Sequence, residues 1–431
     1  MFRLSLDSGV GASASRSLSG LACACLVAGA VCCFGSNARA GTPQSFPEVF
    51  RLAEHSAPRL QEAEAEVQAA AGRARQSAAW LNPLVGVEFE DFAGSGPYRG
   101  SSNAQTTVSL SEPLEIGGQR SARAAAGRAE LTAAQARRVQ VRIDFGFELA
   151  MAYAAAEASR TRVSLMEEDL ERAREASRAV TALVDAGKEA ELRAIQAQAA
   201  VSAGEADLES ARADEAAALS ALSSLVGIED PFTGVGASLL TPARVVSGEP
   251  PAPASPVAGP AIVTAEAERE TAERRLKVEQ RRAIPTPSLT LGARRLAGND
   301  ATAWVAGVSI PVPLFDRNRG AIAAARAELD AAGARLRATR LDTEAEWRSA
   351  SAQSTSGQSR QLAADKAESS AREAYRLARI GYDAGRTPLY ELLSTQRALT
   401  ESRLRSLDAR LTRLRAEASL ARIAGRIPFI E

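Results

Sequence analysis

The chain of 431 residues carries 52 basic and 52 acidic side chains and no formal net charge, and only 4% of it is aromatic. A nucleic-acid binder would need a basic excess, and an ordinary globule would need more large apolar side chains than this alanine-rich chain offers. With one histidine, three methionines and four cysteines, soft metal ligands and nucleophiles are scarce.

Residues 1–40 have the form of an export signal. Arg3 and Arg16 precede an apolar run from Leu18 to Phe34, and Ala38-Arg39-Ala40 is a small-x-small cleavage site. All four cysteines (Cys23, Cys25, Cys32, Cys33) lie inside this segment, so a mature chain starting near Gly41 would have no thiol for disulfides or catalysis. A lipidated N-terminus at one of them is the alternative. No later run approaches the ~20 apolar residues that a membrane-spanning helix needs.

Residues 46–80, with prolines only at 47 and 58, are expected to be helix. Leu84 to Phe92 alternates as a strand, Gly94 to Asn103 is a glycine and serine loop, and a second strand is expected at about 104–112. Arg120 to about Val184 contains no proline, and ~65 helical residues at 1.5 Å each would reach about 100 Å. Asp185-Ala186-Gly187 interrupts that helix, which resumes from Glu189 to about Leu225. Residues 228–260, dense in Pro, Gly and Ser, read as a linker. The order then repeats: helix 261–282, strand 287–295, loop 296–301, strand 302–312 and helix 319–382. A break at Asp383-Ala384-Gly385 leads into a last helix from Leu389 to Ile423, with 426–431 as a tail.

The two halves, 41–227 and 261–425, are read as copies of one unit. Pro113-Leu114 stands 200 residues before Pro313-Leu314. At a spacing of 198, Arg128 to Ala134 (RAELTAA) matches Arg326 to Ala332 (RAELDAA), Asp185-Ala186-Gly187 matches Asp383-Ala384-Gly385, and Gln198 matches Gln396. The strand-to-helix junctions carry Pro113, Gly117 and Gly118 in the first copy and Pro311, Pro313 and Gly320 in the second. Prolines cannot donate to a sheet ladder, and Asp316 and Asn318 are candidate helix caps. Strands of 9 to 11 residues have the length that crosses a bilayer when tilted. Four strands cannot close a barrel, so they must meet strands of other subunits, giving eight with two chains or twelve with three.

The exported N-terminus, the duplicated helix-hairpin-helix order, S-I-P-V-P-L-F-D-R-N-R-G at 309–320 and A-G-R-T-P-L-Y-E-L-L-S-T-Q-R-A-L at 384–399 together resemble the TolC-like outer-membrane efflux channels. The likeness runs from about residue 46 to 425, and the P-V-P-L-F-D-R-N-R-G junction is most similar to the heavy-metal (CzcC-type) branch. The resemblance implies a mainly α fold with a small membrane β part. Three chains would form a homotrimer with a shared twelve-stranded barrel in outer-membrane lipid and a periplasmic helical tunnel. It also implies docking to a periplasmic adaptor protein and an inner-membrane RND pump, no cofactor and no enzymatic activity. By position, Asp185, Gly187, Lys188, Asp383, Gly385 and Arg386 correspond to the helix-turn tips where the family docks its adaptor and gates its tunnel. Independently of that, Gly187 and Gly385 suit the left-handed residue that ends a helix.

Other features have plainer readings. His55 has no metal-ligating neighbour in sequence and reads as a helix-surface residue. Glu167-Glu168-Asp169 reads as a solvated helix face. Gly117-Gly118 is a pair and not a phosphate-binding fingerprint. Trp80, Phe89, Phe92, Tyr98, Trp304 and Phe315 are candidates for interfacial belts. Drug efflux or type I protein secretion would use the same architecture. A periplasmic coiled-coil scaffold would explain the heptads but has no use for the strands.

Overall fold

The computed structural model describes residues 44–240 and 259–430. The export signal, its cysteines and most of the proline-rich linker lie outside the described residues. Seven helices and four strands follow in the order α1 (Phe46–Ser56), α2 (Pro58–Ser77), β1 (Leu84–Glu90), β2 (Gln105–Pro113), α3 (Gln119–Asp185), α4 (Glu191–Val226), α5 (Pro260–Arg282), β3 (Ser288–Leu296), β4 (Ala301–Ser309), α6 (Arg319–Asp383) and α7 (Leu389–Ile423).

Residues 46–80 are two helices, not the single one expected. Ala57 is extended (φ −67°, ψ 120°) because the ring of Pro58 excludes the helical region for the residue before it, and Pro58 then opens α2 where no N–H is required. The corner is held by the end of α4. Ser56 Oγ donates to the Val226 carbonyl at 2.7 Å. Gly227 (φ +82°) comes so close that a Cβ there would sit 2.6 Å from the Ser56 carbonyl oxygen.

The spine is α3, whose 67 residues reach about 100 Å at 1.5 Å per residue. Around its middle, Phe145, Leu149 and Tyr153 pack with Phe46, Val49 and Phe50 of α1 and with Leu222 and Val226 of α4, forming the largest apolar cluster among the described residues. Alanines make the close approaches elsewhere: Ala154 and Ala158 of α3 meet Leu407 and Leu414 of α7. None of the described helices is long and apolar enough to cross a membrane.

The strands form one antiparallel meander in the order β1-β2-β3-β4, with the two copies joined between β2 and β3. The last strand ends at Ser309, three residues before the expected limit. Pro311 and Pro313 lack the N–H that would continue the ladder, and Ile310 is left outside the strand although its apolar character extends the alternation.

Tyr153 is fully buried, and its hydroxyl lies 2.9 Å from the Gln44 carbonyl and 3.0 Å from that of Ala237, free to donate to either. Burial raises the phenol to about 12. A raised tyrosine stabilises the fold fully below the unfolded value near 10, and that contribution is lost as pH rises through the folded value. Tyr153→Phe should therefore lower unfolding stability by about 1 kcal/mol at pH 8 through the lost hydrogen bond. Between pH 10 and 12 the native protein should lose on the order of 2–3 kcal/mol that the variant does not lose. Chemical denaturation of both proteins at pH 8 and pH 12 should show their order of stability reverse. An unchanged order would contradict the assignment.

Candidate channel surfaces

Residues paired across an antiparallel ladder share a face, so the register assigns every strand side chain to one side of the sheet. One side collects Val85, Val87 and Phe89 of β1, Val108 and Leu110 of β2, Leu289 and Leu291 of β3, and Trp304 and Val308 of β4. All are exposed, Trp304 at 88%. The other side holds Glu88 and Glu90, then Gln105, Thr107, Ser109 and Ser111, then Thr290, Gly292 and Arg294. Its hairpin-loop end carries a polar network: the Arg294 guanidinium donates to Thr107 Oγ1 at 2.9 Å and Gln105 Oε1 at 3.2 Å and stands 3.0 Å from Glu90. Thr290 bonds Ser111 at 3.0 Å. One face is thus mostly apolar, with the charged Glu112 and Arg295 at its two ends, and the other is mostly polar, with Leu84 at one end; β1 and β4 are open along their outer edges among the described residues.

The six belt candidates are all exposed and divide between the two ends of the sheet. Phe89, Phe92, Tyr98 and Trp304 lie toward the hairpin loops, and Trp80 and Phe315 lie at the helix end. Arg120 sits over the Trp80 ring at 4.2 Å.

The first strand-to-helix junction is a strap across the second copy. Pro113 ends β2, and the Leu114 N–H donates to the Pro287 carbonyl at 2.7 Å. A Cβ on Gly117 would lie 2.7 Å from the Ile284 side chain, and Gly118 (φ +76°) caps α3. Gln119 then donates to the Ile284 carbonyl at 3.0 Å. In the second junction the strained position is Asn318 (φ +56°), whose N–H donates to Asp316 Oδ1 at 2.8 Å and whose amide donates to the Glu279 carbonyl at 2.8 Å. Gly320 lies in the first turn of α6, where a Cβ would meet nothing.

The two tips are near copies. Gly187 (φ +68°) and Gly385 (φ +69°) each follow a long helix, with Lys188 N–H donating to the Leu183 carbonyl at 2.9 Å and Arg386 N–H to the Gly381 carbonyl at 2.8 Å. With Gly187 N–H donating to the Val184 carbonyl at 2.9 Å and Gly385 N–H to the Tyr382 carbonyl at 2.8 Å, each tip has the two hydrogen bonds of a left-handed helix cap. Asp185, Lys188, Asp383 and Arg386 are exposed at the turns, and none takes part in an ion pair among the described residues. Behind them the tips are clamped together, as Leu389 packs on Val180 and Ala197 beside Tyr382 and Val184. Burial, and next the Glu189 carboxylate, raise the Tyr382 phenol above its ordinary range.

Further up, Glu167 and Glu168 lie on a solvent-exposed face, as expected, and together with the half-buried Asp169 they also tie α3 to its neighbours. Glu167 reaches Arg212 of α4 at 3.2 Å, and Glu168 reaches Arg403 of α7 at 2.6 Å. Asp169 accepts from Gln396 at 3.0 Å and Thr400 at 2.8 Å. The hydrogen bond from Arg403 holds the Glu168 carboxyl below its usual range. His55 is exposed at the end of α1, Met166 is buried in the α3–α4 seam, and no group of three or more His, Cys, Asp or Glu is placed to hold a metal ion among the described residues.

The pattern of the family described as outer membrane efflux protein matches residues 49–228 and 258–426. The nickel-cobalt-cadmium resistance protein NccC of Alcaligenes xylosoxydans xylosoxydans is 42% identical over 375 residues, covering 87% of this chain and 85% of the relative. The nickel and cobalt resistance protein CnrC of Cupriavidus metallidurans is 41% identical over 386 residues, covering 90% and 91%. A crystal structure of CusC, 20% identical, superposes with a TM-score of 0.77 over 89% of this chain and 92% of that one, so the fold is that of the TolC-like channels.

Leu389 is the apolar side chain that holds one tip against the other, and truncating such a residue removes on the order of 2–3 kcal/mol. In Leu389→Ala, amide exchange at residues 180–197 should accelerate at least tenfold while exchange around Tyr153 stays unchanged. Exchange unaltered at both places would mean that the tips are joined by something else.

Proposed function

The chain belongs to the outer membrane efflux protein family, and on that premise we propose that three copies form an outer-membrane channel passing nickel, cobalt or chemically similar divalent cations out of the cell. The observation that carries the channel is the sheet: two chemically opposite faces, two open edges, and helices of about 100 Å continuing from it. In lipid an open edge leaves backbone groups without partners, so the edges of β1 and β4 must be closed by further copies. Three four-stranded sheets give a twelve-stranded barrel whose apolar face meets lipid and whose Glu90–Arg294–Thr107 face lines the lumen. Trp80 and Phe315 at one rim, and Phe89, Phe92 and Trp304 at the other, are placed for the two interfacial girdles.

The helices then form a periplasmic tunnel, with the tips at Asp185–Lys188 and Asp383–Arg386 as its mouth, where an adaptor protein docks and couples the channel to an inner-membrane proton-driven pump. The N-terminal export signal serves this location. The cargo is inferred from NccC and CnrC, proteins of nickel and cobalt resistance. This subunit is a conduit, and choice of metal belongs to the pump.

A deletion strain under sublethal loads of nickel, cobalt, cadmium, zinc and copper should accumulate nickel or cobalt severalfold over its complemented parent, with no change in uptake of a hydrophobic dye. Dye accumulation alone would assign drug efflux instead. Three Asp383 carboxylates around the mouth would attract cations. Asp383→Ala in planar bilayers should reduce cation-over-anion selectivity, and unchanged selectivity and conductance would remove that residue from the gate.

A further inference from the structure

The helices α3 and α6 both start on a left-handed cap, Gly118 (φ +76°) and Asn318 (φ +56°), which stand 200 residues apart. Counted from those caps, Arg120 and Arg123 of α3 match Gly320 and Ala323 of α6. In the first half the two arginines close the gap between the junction and the corner that leads into β1. Arg120 donates to the Ala78 carbonyl at 2.8 Å and lies over the Trp80 ring. Arg123 donates to the Ala79 carbonyl at 3.3 Å while paired with Glu115. Glycine and alanine cannot make that reach, and in the second half a groove of about 550 Å³ stays open between residues 282–286 and 311–318.

Ile284, Val312, Leu314 and Phe315 give the groove apolar walls, and Arg282 and Arg317 line it with them. Arg282 stands 3.3 Å from Glu279 and is otherwise exposed. Arg317 donates from Nε to the Pro313 carbonyl at 3.4 Å and has no ion pair among the described residues. Asp316 also lines the groove, with one oxygen taken by the Asn318 N–H at 2.8 Å. Residues 279–282 and 316–319 together hold four arginines against Glu279 and Asp316, so the surroundings are positive.

The level of the groove follows from β4. Its apolar alternation continues past the last rung of the ladder, from Trp304 and Val308 to Ile310 and Val312, all exposed. From Trp304 to Val312 the chain covers about 26 Å at ~3.3 Å per residue, or about 20 Å of membrane thickness at a tilt of ~40°. The apolar band of a membrane barrel is about 25 Å tall, so a groove at Val312 and Leu314 sits where hydrocarbon gives way to headgroups on the helix side.

We propose that this groove is a phospholipid site, with an acyl chain along Ile284, Val312 and Leu314 and the phosphate held by Arg282 and Arg317. It rests on the membrane reading of the sheet given above and adds a lipid of the periplasmic leaflet to the wall of each copy. Guanidinium groups offer paired N–H donors to phosphate oxygens. The apolar walls need an occupant that is not water, which a soluble anion does not supply. The free oxygen of Asp316 favours a phosphodiester, with one negative charge, over a phosphate monoester, which carries nearly two.

The test is native mass spectrometry of full chains released from detergent after incubation with phosphatidylglycerol, or with diacylglycerol of the same acyl chains. The unsubstituted trimer should retain phosphatidylglycerol, up to one per copy, and severalfold less diacylglycerol. Arg282→Gln with Arg317→Gln should cut phosphatidylglycerol retention severalfold. Gly320→Arg restores the arginine of the first half, and it should also cut retention severalfold, although it adds positive charge. Retention raised by Gly320→Arg would mean attraction to a charged surface without a groove, and would overturn the site. So would equal retention of the two lipids, or equal retention by all three proteins. A trimeric mass that carries no phospholipid overturns the site and leaves the channel standing, whereas a mass other than a trimer overturns the channel reading itself.

Discussion

A peptide group in hydrocarbon has no water to bond, and most of the architecture follows from that constraint. The meander β1-β2-β3-β4 satisfies its own interior but leaves two edges open, and its exposed valines, leucines and Trp304 face outward where water would be the wrong solvent. Closure by further copies answers both problems. It also explains why each strand pair is tied to helices far longer than any single-chain core requires. The proposed assembly would have to cross one compartment as well as one membrane.

Duplication supplies that closure economically in sequence, and divergence then assigned different tasks to matching positions. Gln396 is buried between α7 and α3 and holds Asp169, while its counterpart Gln198 is exposed. Glu115 is almost fully buried in an ion pair with Arg123, while Phe315, at the same place in the other junction, is completely exposed. Within the chain the first junction already has its neighbour at Ile284–Thr286, whereas the second still presents apolar surface. In the proposed trimer Phe315 would stand where a neighbouring copy can cover it, whereas the matching Glu115–Arg123 pair is already enclosed within the chain.

Much of this fold was legible because the chain is punctuated strongly. Proline-free runs, Asp-Ala-Gly breaks and the proline-bearing junctions placed α3, α6 and α7 to within a residue or two, and both tip glycines adopt the left-handed conformation that their position demanded. The misreadings share a cause. Pro58 at the first position of a new helix is the same letter as a proline tolerated near the start of an old one, and only the packing of Gly227 against Ser56 decides between them. Glu167 and Glu168 are solvated as their pattern implies, but their ties to Arg212 and Arg403, and that of Asp169 to Gln396, join residues distant in sequence and are invisible to periodicity. Tyr153 drew no notice for the same reason, since the carbonyls it reaches lie 109 and 84 residues away. The polarity of the sheet needed the register, because a strand reading T-T-V-S-L-S names its alternation but not which neighbour's alternation it joins.

The scarcity of metal ligands fits a conduit better than a binding protein would. A site of several carboxylates or imidazoles would hold a divalent cation tightly, and tight holding is a slow step in a pathway that must release what it receives. In the proposed barrel the lumen offers threonine and serine hydroxyls, glycine backbone and an arginine already matched by Glu90, which is a surface that water wets and ions pass. Attraction without capture then falls to exposed charges at the entrance, where solvent screens each carboxylate and keeps the contact brief. In that reading the two functions would separate along the long axis of the helices, with weak electrostatic collection at the turns and unhindered passage at the sheet, joined by the packed stretch of α3 around Phe145, Leu149 and Tyr153.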